Sequence, residues 1–321
     1  LRRPIQIGLR VAIAVAAYAF IAVKIGSSDI AKSLDAFTDT FFTGNYLWFL
    51  VVLLLMPVVW ALEAVKWRKA LSPFTSISFL SSWRSVWYGV VAGQLTPNRI
   101  GEPVGRIALI DPDVRGRAAV AAIWCSLSQN AITVLFGFIS VAWWVLAVKQ
   151  AIFTQAIYFW LLIVIVLLWV LIVLIAITNV GRISSRIERI GWVKSALKGE
   201  SLRIGYQPTV SIYIIAISAL RYAVFSSQYV ILLMIFGTHT DAIDIYAAVG
   251  LTYLFSSFIP SFSASEVGIR AGFATWFVGM LGGNPVGVAA ASLLLWLLNL
   301  GVPAVIGVWF AWRVKDYKHG K

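Results

Sequence analysis

The chain has 321 residues, 60% of them apolar and only 12% charged, with 26 Lys and Arg against 13 Asp and Glu. That balance excludes an ordinary soluble domain, and one Cys with two His leaves nothing for a disulfide framework, a zinc centre or a thiol catalyst. The net charge of +13 would suggest nucleic acid in a soluble protein; in a membrane protein it speaks first of topology, because basic residues collect in short cytoplasmic loops.

A hydrocarbon core about 30 Å thick needs about 20 apolar residues per helix. The first such stretch, residues 5–25, carries Arg10 near its end, where a long side chain can reach the polar boundary. Residues 30–42 read as a short amphipathic helix, with Leu34, Phe37, Phe41 and Phe42 on its apolar side. The second span is 46–65, and Glu63 is again close enough to the end to snorkel. Residues 71–110 are apolar but broken by Gly, Pro, Ser and charge. Spans follow at 118–148 and 153–179, then a loop at 180–207 in which Arg182, Arg186, Arg189, Lys194 and Lys198 alternate with Ile183, Ile187, Ile190 and Trp192. That pattern predicts a basic amphipathic helix on the anionic inner leaflet. The fifth span is 208–237, a second broken stretch occupies 245–283, and the last span is 286–312.

If each broken stretch enters and leaves on one side, the loops around 1–4, 66–70, 111–117 and 180–207 and the tail from 313 share a face with 17 basic residues, against 3 on the other. The first face is therefore cytoplasmic, with both termini on it. The expected fold is an all-α polytopic membrane protein of about six spanning helices plus two broken re-entrant hairpins, at 71–110 and 245–283. Residues 1–150 and 151–321 then form two repeats of inverted topology within one membrane domain, an architecture that places broken helices at a midplane site. Residues 76–95 are long enough to span, which is the alternative to the first hairpin.

Both hairpin tips carry Pro, a short polar stretch and Glu-x-x-x-Arg: Thr96-Pro97-Asn98-Arg99-Ile100-Gly101-Glu102-Pro103-Val104-Gly105-Arg106 and Ile259-Pro260-Ser261-Phe262-Ser263-Ala264-Ser265-Glu266-Val267-Gly268-Ile269-Arg270. Proline stops the first arm, and a spacing of four puts Glu102 beside Arg106 and Glu266 beside Arg270 on one helical face. Arg84, Arg99 and Arg221 then lie in apolar segments without an evident side-chain partner, and Arg221 is near the middle of its span. An unpaired Arg at that depth costs several kcal/mol, so it must face protein, water or an anion. Arg84, Arg99, Glu102, Arg106, Arg221, Glu266 and Arg270 are the candidate substrate-binding residues, and guanidinium forks suit phosphate. Gln94, Asn98, Gln129, Asn130, Gln228 and Asn299 are candidates to line the cavity, interhelical hydrogen bonding being their ordinary role.

Neither His239 nor His319 lies in a span, so a Ser-His protease or a metal protease lacks its base or ligands. Asp111-Pro112-Asp113 has the form of a metal-bound sugar-nucleotide motif but sits in a turn beside Arg115, Cys125 reads as a small core residue, and no P-loop occurs. No catalytic role, cofactor or metal is expected.

Trp60-Ala61-Leu62-Glu63-Ala64-Val65-Lys66-Trp67-Arg68, together with the two hairpin tips, resembles the lysylphosphatidylglycerol synthase transmembrane family, which includes the flippase domain of MprF-type proteins. The resemblance implies translocation of phospholipids, phosphatidylglycerol or its aminoacyl ester, between leaflets of a prokaryotic cytoplasmic membrane. Ser261-Phe262-Ser263-Ala264-Ser265 replaces the glycine-rich stretch usual after the second Pro. Only nine residues follow Trp312, so the expectation is movement of a lipid made by a separate enzyme. Rival readings are an ion-coupled transporter of a small aqueous anion, a translocator of a polyprenyl-phosphate lipid, a membrane enzyme acting on such a lipid, and a scaffold.

Overall fold

A computed structural model describes residues 38, 46–94, 96, 99–148, 156–189, 202, 204–259 and 263–307. Among these residues the chain is helical, with no strand. The expected span at 5–25, the amphipathic segment at 30–42 and Asn98 lie outside the described residues.

The helices are α1 (Tyr46–Leu71), α2 (Phe79–Gln94), α3 (Gly101–Ile107), α4 (Arg115–Trp143), α5 (Ala156–Glu188), α6 (Pro208–Ile235), α7 (Ala242–Ser257), α8 (Ser263–Met280) and α9 (Pro285–Trp296). A 3₁₀ turn, Pro112–Val114, leads into α4, and π-turns Trp144–Val148 and Leu297–Gly301 extend α4 and α9. Four helical stretches are long and apolar enough to cross a membrane: Tyr46–Leu71, Pro112–Ala147, Pro208–Ile235 and Pro285–Gly307. A fifth is available if α5, bent by 74° between Ile163–Ala176 and Asn179–Arg186, counts as one crossing. At the bend Asn179 Nδ2 donates to Ile175 O at 2.8 Å, competing with the backbone ladder.

The broken stretches at 71–110 and 245–283 each resolve into two helices. α2 has 16 residues, roughly 24 Å at 1.5 Å per residue, which is short of a full crossing. α3 has 7, and Thr96 closes the turn between them by accepting from Gly101 N at 2.7 Å. α3 can lie against α2 only because both present glycine: a Cβ on Gly101 would run into Ala92 O, and one on Gly105 into Tyr88 O. In the second stretch α7 has 16 residues and α8 has 18.

The described residues fall into two compact units. The Glu63 unit draws on Val58–Leu135, Ile163–Tyr222 and Val302–Lys321. Its core is built from Trp60, Ala64, Trp67, Val86, Val90, Ala121 and Ile214, all essentially inaccessible. Outside the spans, Tyr206 OH donates to Ala70 O at 2.7 Å, satisfying a carbonyl at the end of α1, and burial pushes its phenol above the usual tyrosine range. The Glu266 unit draws on Leu1–Pro57, Phe136–Leu162 and Ala223–Gly301. Its core holds Trp144, Tyr229, Leu232, Leu233, Ile245 and Val249. Here α4 and α7 cross at Gly250, where any Cβ would strike Ser140.

Candidate functional site

In the Glu63 unit α1 runs on past residue 65 to Leu71, because the first breaker after its apolar run is Ser72-Pro73. Glu63 and Lys66 are therefore well inside the helix, 3% and 1% exposed, and not at its end. This corrects two expectations, that Glu63 snorkels and that Lys66 belongs to a cytoplasmic loop. Three residues apart, they share a face, and Lys66 Nζ lies 2.8 Å from Glu63 Oε2 and donates to Gln129 Oε1 at 3.3 Å. Gln129 in turn donates to Ser218 O at 3.3 Å.

Two more cations converge on the same carboxylate. Arg106 Nη1 is 2.8 Å from Glu63 Oε1, and Arg221 Nε is 3.3 Å from Glu63 Oε2. Arg106 also pairs with Glu102 through Nη2, as the spacing of four predicts, and Arg99 Nε stands 3.7 Å from Glu102 Oε2. The expectation that Arg99 and Arg221 lack side-chain partners is thus corrected: the missing partner of Arg221 was Glu63. Indole faces line the network, with the Arg106 guanidinium 5.9 Å from the Trp67 ring and that of Arg221 5.6 Å from Trp60. Ser85 fixes the hairpin to this site, accepting from Trp67 Nε1 at 2.9 Å and donating to Arg106 O at 2.6 Å.

Arg99 is the one non-glycine residue at positive φ among the described residues, at 57°. That conformation costs on the order of 1–2 kcal/mol and is held where the surroundings demand it. Four cations and two carboxylates leave this network with an excess of two positive charges. Arg99 Nη2 and Arg106 Nε are shielded from solvent and find no acceptor among the described residues.

The Glu266 unit holds a second, smaller site. Arg270 Nη2 pairs with Glu266 Oε1, and its guanidinium lies 5.5 Å from the Tyr253 ring. Arg270 shares a cavity with Phe225, Tyr229, Tyr253, Ser292, Trp296 and Asn299. Gln228 Nε2 donates to Val52 O at 2.8 Å, so its Oε1 is left to accept from Asn299 Nδ2 at 2.8 Å. That chain commits the nitrogen of Asn299 and leaves its Oδ1 buried without a donor among the described residues. The π-turn Leu297–Gly301 carries Asn299.

The family model for the lysylphosphatidylglycerol synthase transmembrane region matches residues 7–307. The chain belongs to this family. No curated protein and no solved structure matches it.

Within this member of the lysylphosphatidylglycerol synthase transmembrane family, Arg99, Glu102, Arg106 and Arg221 meet in one network, and Glu266 with Arg270 forms the other site. Arg84 stands at an exposed position of α2 and Asn130 at an exposed position of α4. Gln94 ends α2, half-buried. Gln129 braces Lys66, whereas Gln228 and Asn299 form the amide chain of the second site. Glu63 and Lys66 are the members that sequence reasoning missed. Their signal was a Glu-x-x-Lys pair between two tryptophans, Trp60 and Trp67, on a helix with no further breaker between Pro57 and Ser72-Pro73.

Proposed function

We propose that this protein is a lipid translocator that moves an anionic or aminoacylated phospholipid, phosphatidylglycerol-like, between the leaflets of a prokaryotic cytoplasmic membrane. The observation that carries this reading is the surplus of guanidinium over carboxylate in the buried Glu63 network. A surplus of cations inside apolar helices is costly unless an anion visits it. Arg99 and Arg221 are the cations of the network with exposed surface, 30% and 19%, so they are the groups a phosphate meets first. Glu63 meanwhile keeps Lys66 and Arg106 in place. Acyl chains stay in the bilayer while the headgroup passes, and Arg84 draws the headgroup from the cytoplasmic side.

In this reading residues 1–150 and 151–321 are inverted repeats, and the Glu102–Arg106 and Glu266–Arg270 pairs are corresponding elements that exchange partners as each hairpin opens. An ammonium on an aminoacylated headgroup would use the same carboxylates. The chain moves a lipid that a separate enzyme makes, with no chemistry and no cofactor of its own.

Leaflet exchange of fluorescent phosphatidylglycerol and its lysyl ester in proteoliposomes tests the reading, with wild type compared to Arg221→Ala and Glu266→Gln at matched reconstitution. Exchange by wild type that falls by roughly tenfold or more in Arg221→Ala supports it. Exchange of neither lipid, or exchange indifferent to both substitutions, overturns it in favour of another lipid cargo or an aqueous anion.

A further inference from the structure

Charge stoichiometry in the Glu63 network bears on which anion it accepts. Lys66, Arg106 and Arg221 all contact Glu63, and Arg106 and Arg99 contact Glu102, so the six groups form one connected set. Lys66, Arg106 and Glu63 are at most 3% exposed, which removes water as the main source of charge compensation. Gln129, on the facing helix α4, is neutral and already committed to Lys66 and Ser218. Of the remaining described carboxylates in this unit, Asp111 and Asp113 are exposed, and Asp111 accepts from Asp113 N at 3.1 Å in the turn before α4. Glu188 closes α5, behind Arg182 and Arg186.

The excess is therefore two charges. One visiting phosphodiester brings a single negative charge and leaves the set at +1, whereas a phosphomonoester with both protons lost brings two and neutralises it. Donor count points the same way. Among the described residues Arg99 Nη2 and Arg106 Nε have no acceptor, and Arg106 Nη1 at 2.8 Å and Arg221 Nε at 3.3 Å approach Glu63 without a hydrogen bond, so four guanidinium nitrogens still need an acceptor. A monoester offers three terminal oxygens and a diester two.

We propose that the anion accepted by this site is a doubly charged phosphate, the monoester headgroup of a lipid, in preference to a singly charged phosphodiester. The proposal rests on the lipid-translocator reading above and changes its preferred headgroup, from the phosphatidylglycerol-like diester to a monoester.

The test uses the full chain in phosphatidylcholine vesicles at about pH 8, where the second monoester proton is off. Leaflet exchange of acyl-labelled phosphatidic acid and phosphatidylglycerol is followed by dithionite quenching, beside uptake of labelled inorganic phosphate. Phosphatidic acid should exchange at least roughly tenfold faster than phosphatidylglycerol. Arg99→Gln, which lowers the excess to one, should narrow that ratio. Glu102→Gln, which raises it to three, should not. The ratio is read within one preparation, so a loss of folded protein lowers both rates and leaves it unchanged.

Phosphatidylglycerol exchanging as fast as phosphatidic acid would overturn the proposal and leave the translocator reading intact. An unaltered ratio in Arg99→Gln would overturn it too. Exchange of neither lipid would sink both readings, and phosphate uptake in that case would assign the doubly charged site to an aqueous ion.

Discussion

Glu63 is a single carboxylate facing Lys66, Arg106 and Arg221 from a position 3% exposed. Replacing it with Gln removes the one negative charge that all three share and leaves three cations repelling one another in a region of low dielectric. Breaking a buried ion pair by deleting one partner typically costs about 3–5 kcal/mol. Glu63→Gln is accordingly expected to lower thermal stability in detergent sharply, measured as the temperature at which monodisperse protein is lost. Arg221→Ala removes one cation from the crowd and leaves Glu63 paired twice, so its melting should stay close to wild type even where the proposed leaflet exchange falls. Equal stability of the two variants would show that Glu63 is not the keystone of the network.

The same residues show what the sequence could and could not reveal. Glu102 with Arg106 and Glu266 with Arg270 were legible because a spacing of four fixes a shared helical face whatever the tertiary fold. Glu63 was misread because an apolar window ends at residue 65, although helix formation depends on breakers and capping and continues to Leu71. Arg221 was recognisable as a charge needing a partner, but the partner lay over 150 positions earlier in the chain, a separation that no local pattern encodes.

At the scale of elements, the α2–α3 hairpin is held by backbone proximity and one serine. Gly105 sits where a Cβ would meet Tyr88 O together with Ala92 Cβ and Gly89 Cα at 2.8 Å, and all three belong to the facing helix and cannot swing aside. Gly105→Ala should therefore push α3 off α2, at a cost of about 1–3 kcal/mol. It would also move Arg106 away from Glu63. Gly205→Ala, at a position with nothing within 4 Å, is the matched control and should be neutral in the same melting assay. Ser85→Ala leaves buried Trp67 Nε1 and Arg106 O without their shared partner and should cost about 1–3 kcal/mol. If Gly105→Ala melts with Gly205→Ala, the close approach of the two helices is not what holds the hairpin. This packing was only partly visible in advance: the breaks at Pro97 and Gly101 announced a hairpin, but glycine spacing alone does not say which backbone lies opposite.

For the whole molecule, orientation follows from charge. The 17 to 3 partition was drawn up with Lys66 among the loop residues. Lys66 is buried and paired, so it must be removed, and 16 basic residues against 3 still remain. The bias survives because most of it comes from 180–207 and the C-terminal tail, not from the end of α1. The charge bias accordingly predicts the turn at Asp111 on the cytoplasmic side and the turn at Asp241 on the external side. Both residues are exposed, which makes them suitable for single-cysteine labelling. Cys125 is fully buried and can be replaced by Ser to give a silent background. A membrane-impermeant maleimide should modify Asp241→Cys on intact cells and Asp111→Cys only on inside-out vesicles. Between these positions the described chain contains α4, α5 and α6, three helices long enough to cross if bent α5 counts as one span. An odd number of crossings requires opposite sides. Labelling of both cysteines from the same side would mean that α5 does not cross, and with it the inverted arrangement of residues 1–150 and 151–321 would fall.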